Sequence, residues 1–216
     1  MDAVLENLPL YWQGFRTTLG LTLASALVSL VLGTVLAACR VSPTPVLRAF
    51  GTTYVELVRN TPLTVVFYGV TFVMPLVLLG LDPLPGAVLA LSLYTSPFVC
   101  EVIRSGVNAI PVGQAEAARS LGMTFGQTLT TVVLPQSVRG VLPPLVNVFI
   151  ALTKNSSVAG GGFYVFELFG VARRLPNDYP ADIYWLLAGV ALAYLVITIP
   201  AGQLVGVLER KVAVLR

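Results

Sequence analysis

Charge is scarce in this sequence. Of 216 residues, 13 are Lys or Arg and 10 are Asp or Glu, while 56% are apolar. A soluble domain averages about 25% charged residues, so this composition cannot clothe a surface in water, and it fits lipid. Histidine is absent and cysteine occurs twice, at Cys39 and Cys100. That excludes a zinc centre and any histidine-based catalytic triad. No G-x-x-x-x-G-K-[ST] segment occurs, and Gly160–Gly162 lacks the Lys and Ser/Thr that cradle phosphates. A nucleotide-hydrolysing site on this chain is excluded with it, and so are catalytic residues and metal ligands of its own.

What remains is long and apolar. Thr17–Cys39 holds 23 residues without a charge, the stretch from Arg59 to Asp82 another 22, Asp82 to Glu101 another 18, and Asp182 to Glu209 another 26. A span needs about 20 mostly apolar residues to cross roughly 30 Å of hydrocarbon, so these four stretches read as spans. Ser120–Val138 is also uncharged, but its two Gly, two Gln, four Thr and Pro135 make it too polar. A further span is placed from about Arg139, built around Val141–Leu152, with Lys154 directly after it. Either that helix breaks or Lys154 lies against protein, because lipid accepts a cation there only at high cost.

The expected fold is therefore all-α, one polytopic membrane domain over residues 1–216 with five transmembrane helices. Basic residues orient it. Nine follow spans one, three and five (Arg40, Arg48, Arg59, Arg104, Arg119, Arg139, Arg210, Lys211, Arg216), against Arg16, Arg173 and Arg174 on the other side. The N-terminus is expected outside and the C-terminus in the cytoplasm. The net charge of +3 reflects that bias and gives no sign of nucleic-acid binding. Asp2 and Glu6 in place of a basic start argue against a cleaved signal. Both cysteines fall at cytoplasmic ends, where disulfides do not persist.

The most patterned polar segment is the cytoplasmic loop 109–135. Pro111 opens a short helix, Gly122 closes it, and Thr124 with Gln127 forms a capping-box pattern for a second helix that Pro135 interrupts. Ala115, Ala118 and Gly122 share one small face, suited to the close approach of another protein's backbone.

Glu116-Ala117-Ala118, then Gly122, then Val132, Leu134 and Pro135 at the spacing E-A-A, three residues, G, nine residues, I-x-L-P resembles the EAA loop of bacterial ABC-importer permeases, with Val132 in place of Ile. The stretches RVSP at 40–43, RNTPLT at 59–64, EVIRSGVNAIPVGQAEAARSLG at 101–122 and PQSVRGVLPPLVNVFIALTKNSS at 135–157 resemble the polar amino-acid branch, most of all the glutamate-uptake permeases. The likeness fades over 160–168. The resemblance implies a pore subunit in a bacterial cell membrane, with Glu116, Ala117, Ala118, Gly122 and Pro135 in the element that couples to ATPase. Its implied partners are an ABC ATPase dimer carrying the ATP and magnesium, a second permease (identical or related) and an external amino-acid-binding protein, all set in membrane lipid.

Polar residues inside apolar helices are the candidate substrate contacts. An α-amino acid offers an ammonium and a carboxylate, so its site needs acceptors and donors. Asn147, Lys154, Asn155, Ser156 and Glu101 supply both, with Lys154 as the carboxylate partner. Asn147 and Lys154 stand seven apart, close to two turns, on one face of a continuous helix. The same residues also suit plain helix–helix hydrogen bonding, and Glu101 with Arg104 suits a structural pair. An ion-coupled secondary transporter is the alternative function. It predicts inverted repeats with paired broken helices, and no repeat relates residues 1–108 to the remainder.

Overall fold

The computed structural model describes residues 2–42, 44–78 and 80–213, with side chains throughout except at 125, 129, 134 and 211–213. Arg216, one of the basic residues counted above, lies outside the described residues. Every regular element among them is helical.

A short α1 (Asp2–Glu6) leads into α2 (Leu8–Val41), followed by α3 (Pro45–Arg59) and α4 (Leu63–Tyr68). A π-helical turn, Gly69–Val73, joins α4 to α5 (Met74–Val77). Next come α6 (Pro83–Asn108), α7 (Val112–Ser120) and α8 (Phe125–Gln127), then a second π turn, Thr128–Val133, and α9 (Leu134–Asn155). The chain closes with α10 (Ser157–Gly162), α11 (Leu168–Asp178) and α12 (Ile183–Ala213).

Three stretches are long and apolar enough to cross a membrane: Leu8–Val41, Pro83–Asn108 and Pro180–Arg210. Pro45–Arg59 and Leu63–Val77 pass only as a pair, bent by 107° at Asn60–Pro62. The chain is a membrane-embedded, multi-pass protein with three such helices, or four if the bent pair is one span. Of the last stretch only 11% is buried against the rest of the chain, so its flanks meet lipid or another subunit.

The bundle is built around α2 against α6, and small residues explain why. Ser25, Ser29 and Gly33 recur every fourth position on α2 and are turned inward, facing Ser92 and Ser96 of α6. In lipid no hydrophobic drive separates helix from solvent, so association relies on close backbone approach and cross-helix hydrogen bonds. A Cβ on Gly33 would stand 2.6 Å from Val99, and the Ser92 hydroxyl reaches the Ser25 carbonyl at 3.4 Å. Contacts advance together along both helices, from Ser25–Val88 to Arg40–Glu101, so α2 and α6 run parallel. Tyr11 meets Leu186 and Glu167 joins Thr18 to Tyr194, so α12 runs the same way. Gly106 abuts Val141 while Leu91 clusters with Leu152, so α9 runs opposite to α6.

Prolines shape the helices without breaking them. Pro97 has no N–H to give the Leu93 carbonyl four residues back. That carbonyl instead accepts from the hydroxyls of Tyr54 at 3.1 Å and Ser96 at 3.0 Å, which brings α3 onto α6. Both π turns end two residues before a proline, Pro75 and Pro135. A wider turn makes room for a ring that would clash with the preceding turn. Pro135 was expected to interrupt the helix after Thr124; the π turn absorbs it, and the chain runs on through α9 to Asn155.

Candidate functional site

The loop 109–135 adopts the turn its sequence encodes. α7 starts after Pro111, and Gly122 ends it with φ +83°, a left-handed conformation that costs a side-chain-bearing residue about 1 kcal/mol or more. Thr124 and Gln127 form the reciprocal capping box: the Thr124 N–H donates to Gln127 Oε1 at 2.9 Å, and the Gln127 N–H to Thr124 Oγ1 at 3.3 Å.

The small face of α7 points the other way from expectation. Ala118 is 5% exposed and Ala115 half-buried, and α7 packs on the Thr128–Val133 turn of its own chain. Small residues there let two segments of the same loop approach. Glu116, Ala117, Gly122 and Pro135 are exposed, and so are the apolar side chains of Val112 (71%) and Leu121 (85%). These last two were missed from sequence because they belong to no periodic stripe. The surface offered outward is Val112, Glu116, Ala117 and Leu121. The side chain of Leu134, part of the motif, lies outside the described residues.

The candidate substrate contacts separate into four environments. Asn147 and Lys154 both lie on α9 and are both exposed. Lys154 borders a groove of about 320 Å³ lined with Ser157, Phe169, Ala172, Leu187 and Tyr194, from α10, α11 and α12. Helix α9 is unbroken through Lys154, so the expected break is absent, and within this chain Lys154 is exposed rather than enclosed by protein. Asn155 is half-buried. Ser156 is fully buried, its hydroxyl donating to the Thr153 carbonyl at 2.7 Å. Glu101 lies apart from all four, on α6, and accepts from Arg40 through Oε1 and from Arg104 through Oε2 at 3.4 Å. Arg59 stands 3.6 Å from Oε1.

One buried carboxylate escaped sequence reasoning altogether. Glu167 caps α11, its Oε1 accepting from the N–H of Phe169 at 2.7 Å and of Gly170 at 3.1 Å. Its Oε2 accepts from Thr18 at 3.1 Å and Tyr194 at 2.5 Å. Burial pushes the Glu167 carboxyl above the usual carboxylate range, and the four donors and the helix N-terminus offset part of that rise. Gly160 makes the room: a Cβ there would lie 1.9 Å from Glu167 Oε1. Gly160, the first of the glycine run where the resemblance fades, is what admits this carboxylate. A lone Glu seven residues after Gly160 carried no periodic signal that would have revealed it.

A family described as binding-protein-dependent transport system inner membrane component matches residues 13–214. The chain belongs to that family. Among curated members, a glutamate transport system permease protein of Corynebacterium efficiens is 39% identical, covering 96% of this chain and 94% of the relative. A probable glutamine ABC transporter permease protein of Bacillus subtilis is 36% identical, covering 98% and 97%. In the crystal structure of an amino acid ABC transporter with histidines, one chain superposes with a TM-score of 0.90 at 28% identity, covering 96% of each. A chain of the MetNI methionine ABC transporter in an inward-facing conformation superposes at 0.70 with 19% identity, a likeness of fold. Members of this permease family are transport components, so the bundle described above is a transport subunit.

Proposed function

We propose that this chain is the pore subunit of an ATP-driven importer of a polar amino acid, glutamate first among the candidates. It crosses the membrane five times, with α9 as the fourth crossing, the N-terminus outside and the C-terminus in the cytoplasm of a bacterial cell. The shared direction of α2, α6 and α12 and the opposite direction of α9 support that count, and the nine-to-three basic asymmetry supports the orientation. A second permease completes the pore, an external binding protein delivers substrate, and a pair of ATPase subunits holds the ATP and magnesium.

The observation that carries the reading is the loop 109–135. Gly122 and the capping box fold it back so that Glu116 and Ala117 are exposed between the apolar Val112 and Leu121. Exposed apolar side chains at both ends of a nine-residue polar helix suit a protein groove better than water. Glu116, Ala117 and Leu121 touch the ATPase, whereas Ala118, Gly122 and Pro135 set the loop's shape. For substrate, Lys154 offers the cation and Asn147 and Asn155 the amides; Ser156 holds the end of α9 from its buried position. Glu101 already has its oxygens engaged by arginines.

Reconstitution with the ATPase and binding protein tests this. ATP hydrolysis should rise when the binding protein is loaded, and a screen of the twenty amino acids should place glutamate highest. Uptake that proceeds without ATP and follows an ion gradient would return the chain to the secondary transporters.

A further inference from the structure

Three helices meet at one carboxylate near the loop end of the bundle. Glu101 lies on α6, two turns before that helix ends at Asn108, and only residues 109–111 separate α6 from α7. Its Oε1 takes Arg40, in the last turn of α2, and lies 3.6 Å from Arg59, the last residue of α3. Arg59 immediately precedes the 107° bend into α4. Arg104, one turn along α6, holds Oε2. Three guanidiniums therefore share one carboxylate, a local charge of +2. The Arg40 side chain is only 10% exposed, so water does little to replace its partner.

From this geometry we infer that Glu101 is a positioning residue for coupling: it transmits movement of the 109–135 loop to the end of α2 and to the bend of the α3–α4 pair. The inference rests on the importer reading above. Its physical basis is connectivity. Helix α6 is continuous from Pro83 to Asn108, so a push on α7 reaches Glu101 through a stiff rod rather than a hinge. From there the push passes to α2 through the charge-assisted hydrogen bond to Arg40, and to the bend through the ion pair with Arg59 at 3.6 Å. On the α9 side a cleft of about 450 Å³ lies between Glu101, Ser105 and Ala109 of the α6 end and Gly140 and Pro144, leaving space for the rod's end to travel. Without the carboxylate the three cations repel, and α6 moves without taking the bend along.

The test is the ratio of substrate imported to ATP hydrolysed in proteoliposomes holding the full complex with its binding protein. Glu101→Gln should lower that ratio at least tenfold. Arg59→Gln, at a side chain 41% exposed and so tolerant of change, should lower it at least threefold. The reversed pair Arg40→Glu with Glu101→Arg keeps one carboxylate among three guanidiniums and should recover at least half of the wild-type ratio. A merely structural role would change the amount of assembled complex and leave the ratio alone. A wild-type ratio in Glu101→Gln, or a reversed pair no better than Glu101→Gln, overturns the inference. Should Glu101→Gln fail to assemble, a wild-type ratio in Arg59→Gln overturns it equally. If the unmodified complex shows no ATP-dependent import, the importer reading fails and takes this link with it; coupled import in the wild type with equal coupling in every variant removes the link alone.

Discussion

Replacing Glu167 by Ala should be the most damaging single truncation in the half of the bundle that holds the start of α2. The substitution strips the acceptor from two backbone N–H groups and two hydroxyls, all within 3.1 Å of the carboxylate, at a residue with no exposure. Loss of the helix cap costs about 1 kcal/mol, and each buried bond to a charged acceptor contributes roughly 1.5–3 kcal/mol. These terms overlap within one network, so a total of about 3–5 kcal/mol is expected. At about 2–4 °C per kcal/mol for a chain of this size, the midpoint should fall by about 6–20 °C. Glu167→Gln keeps an oxygen for the two backbone donors, and its loss should stay near 1–2 kcal/mol. The assay is the monodisperse fraction after fixed heating times in detergent, compared at equal times because such unfolding is irreversible. Gly160→Ala supplies an internal check, since its Cβ would lie 1.9 Å from Glu167 Oε1 and 2.7 Å from the Gly170 nitrogen. It should destabilise the wild type more than it destabilises Glu167→Ala, where the first clash is gone. A midpoint for Glu167→Ala within 2 °C of wild type, or strictly additive effects in the cycle, would refute the argument.

Other outcomes follow from the same geometry. Cysteines placed at the exposed positions Asp2 and Glu209, with Cys39 and Cys100 replaced, should label from opposite sides of the membrane; labelling from one side refutes the odd number of crossings. Gly122→Ala forces a Cβ into φ +83° and should cost about 1 kcal/mol locally, cutting co-purification of the ATPase while the bundle stays inserted; full recovery of ATPase on a nickel-tagged variant contradicts the docking role. Lys154→Met should reduce uptake and substrate-stimulated ATP hydrolysis with assembly intact, whereas unchanged transport means that this exposed ammonium only reaches the interface along its apolar stem. Tyr54→Phe removes one of the two hydroxyls that the Leu93 carbonyl accepts from, four residues before Pro97, and should lower thermal stability by about 1 kcal/mol, the worth of one such hydrogen bond; a midpoint equal to wild type would mean that Ser96 alone suffices.

The all-helical class, the three long spans and the loop 109–135 were legible in the residue order because each depends on short-range physics. Apolar run length sets a crossing, Gly122 alone tolerates its turn, and Thr124 with Gln127 needs only three-residue spacing to close the box. What lay beyond local pattern needed the packed chain. The inward turn of Ala118 depends on a partner ten residues away across the loop, and no periodicity told whether that small face met its own chain or another protein. The passage of α9 through Pro135 depends on a π turn, which has no composition of its own. Glu101 read as a pair with Arg104 because the two are neighbours on one helix, while Arg40 and Arg59 reach it from 61 and 42 positions earlier in the chain. Glu167 is the extreme case: its partners Thr18 and Tyr194 lie 149 and 27 residues away. Sequence by itself determined where this chain prefers lipid, because transfer free energy adds up along a run of residues. Tertiary structure decided which charges are buried and against what, because a carboxylate can leave water only where separate segments bring it enough donors.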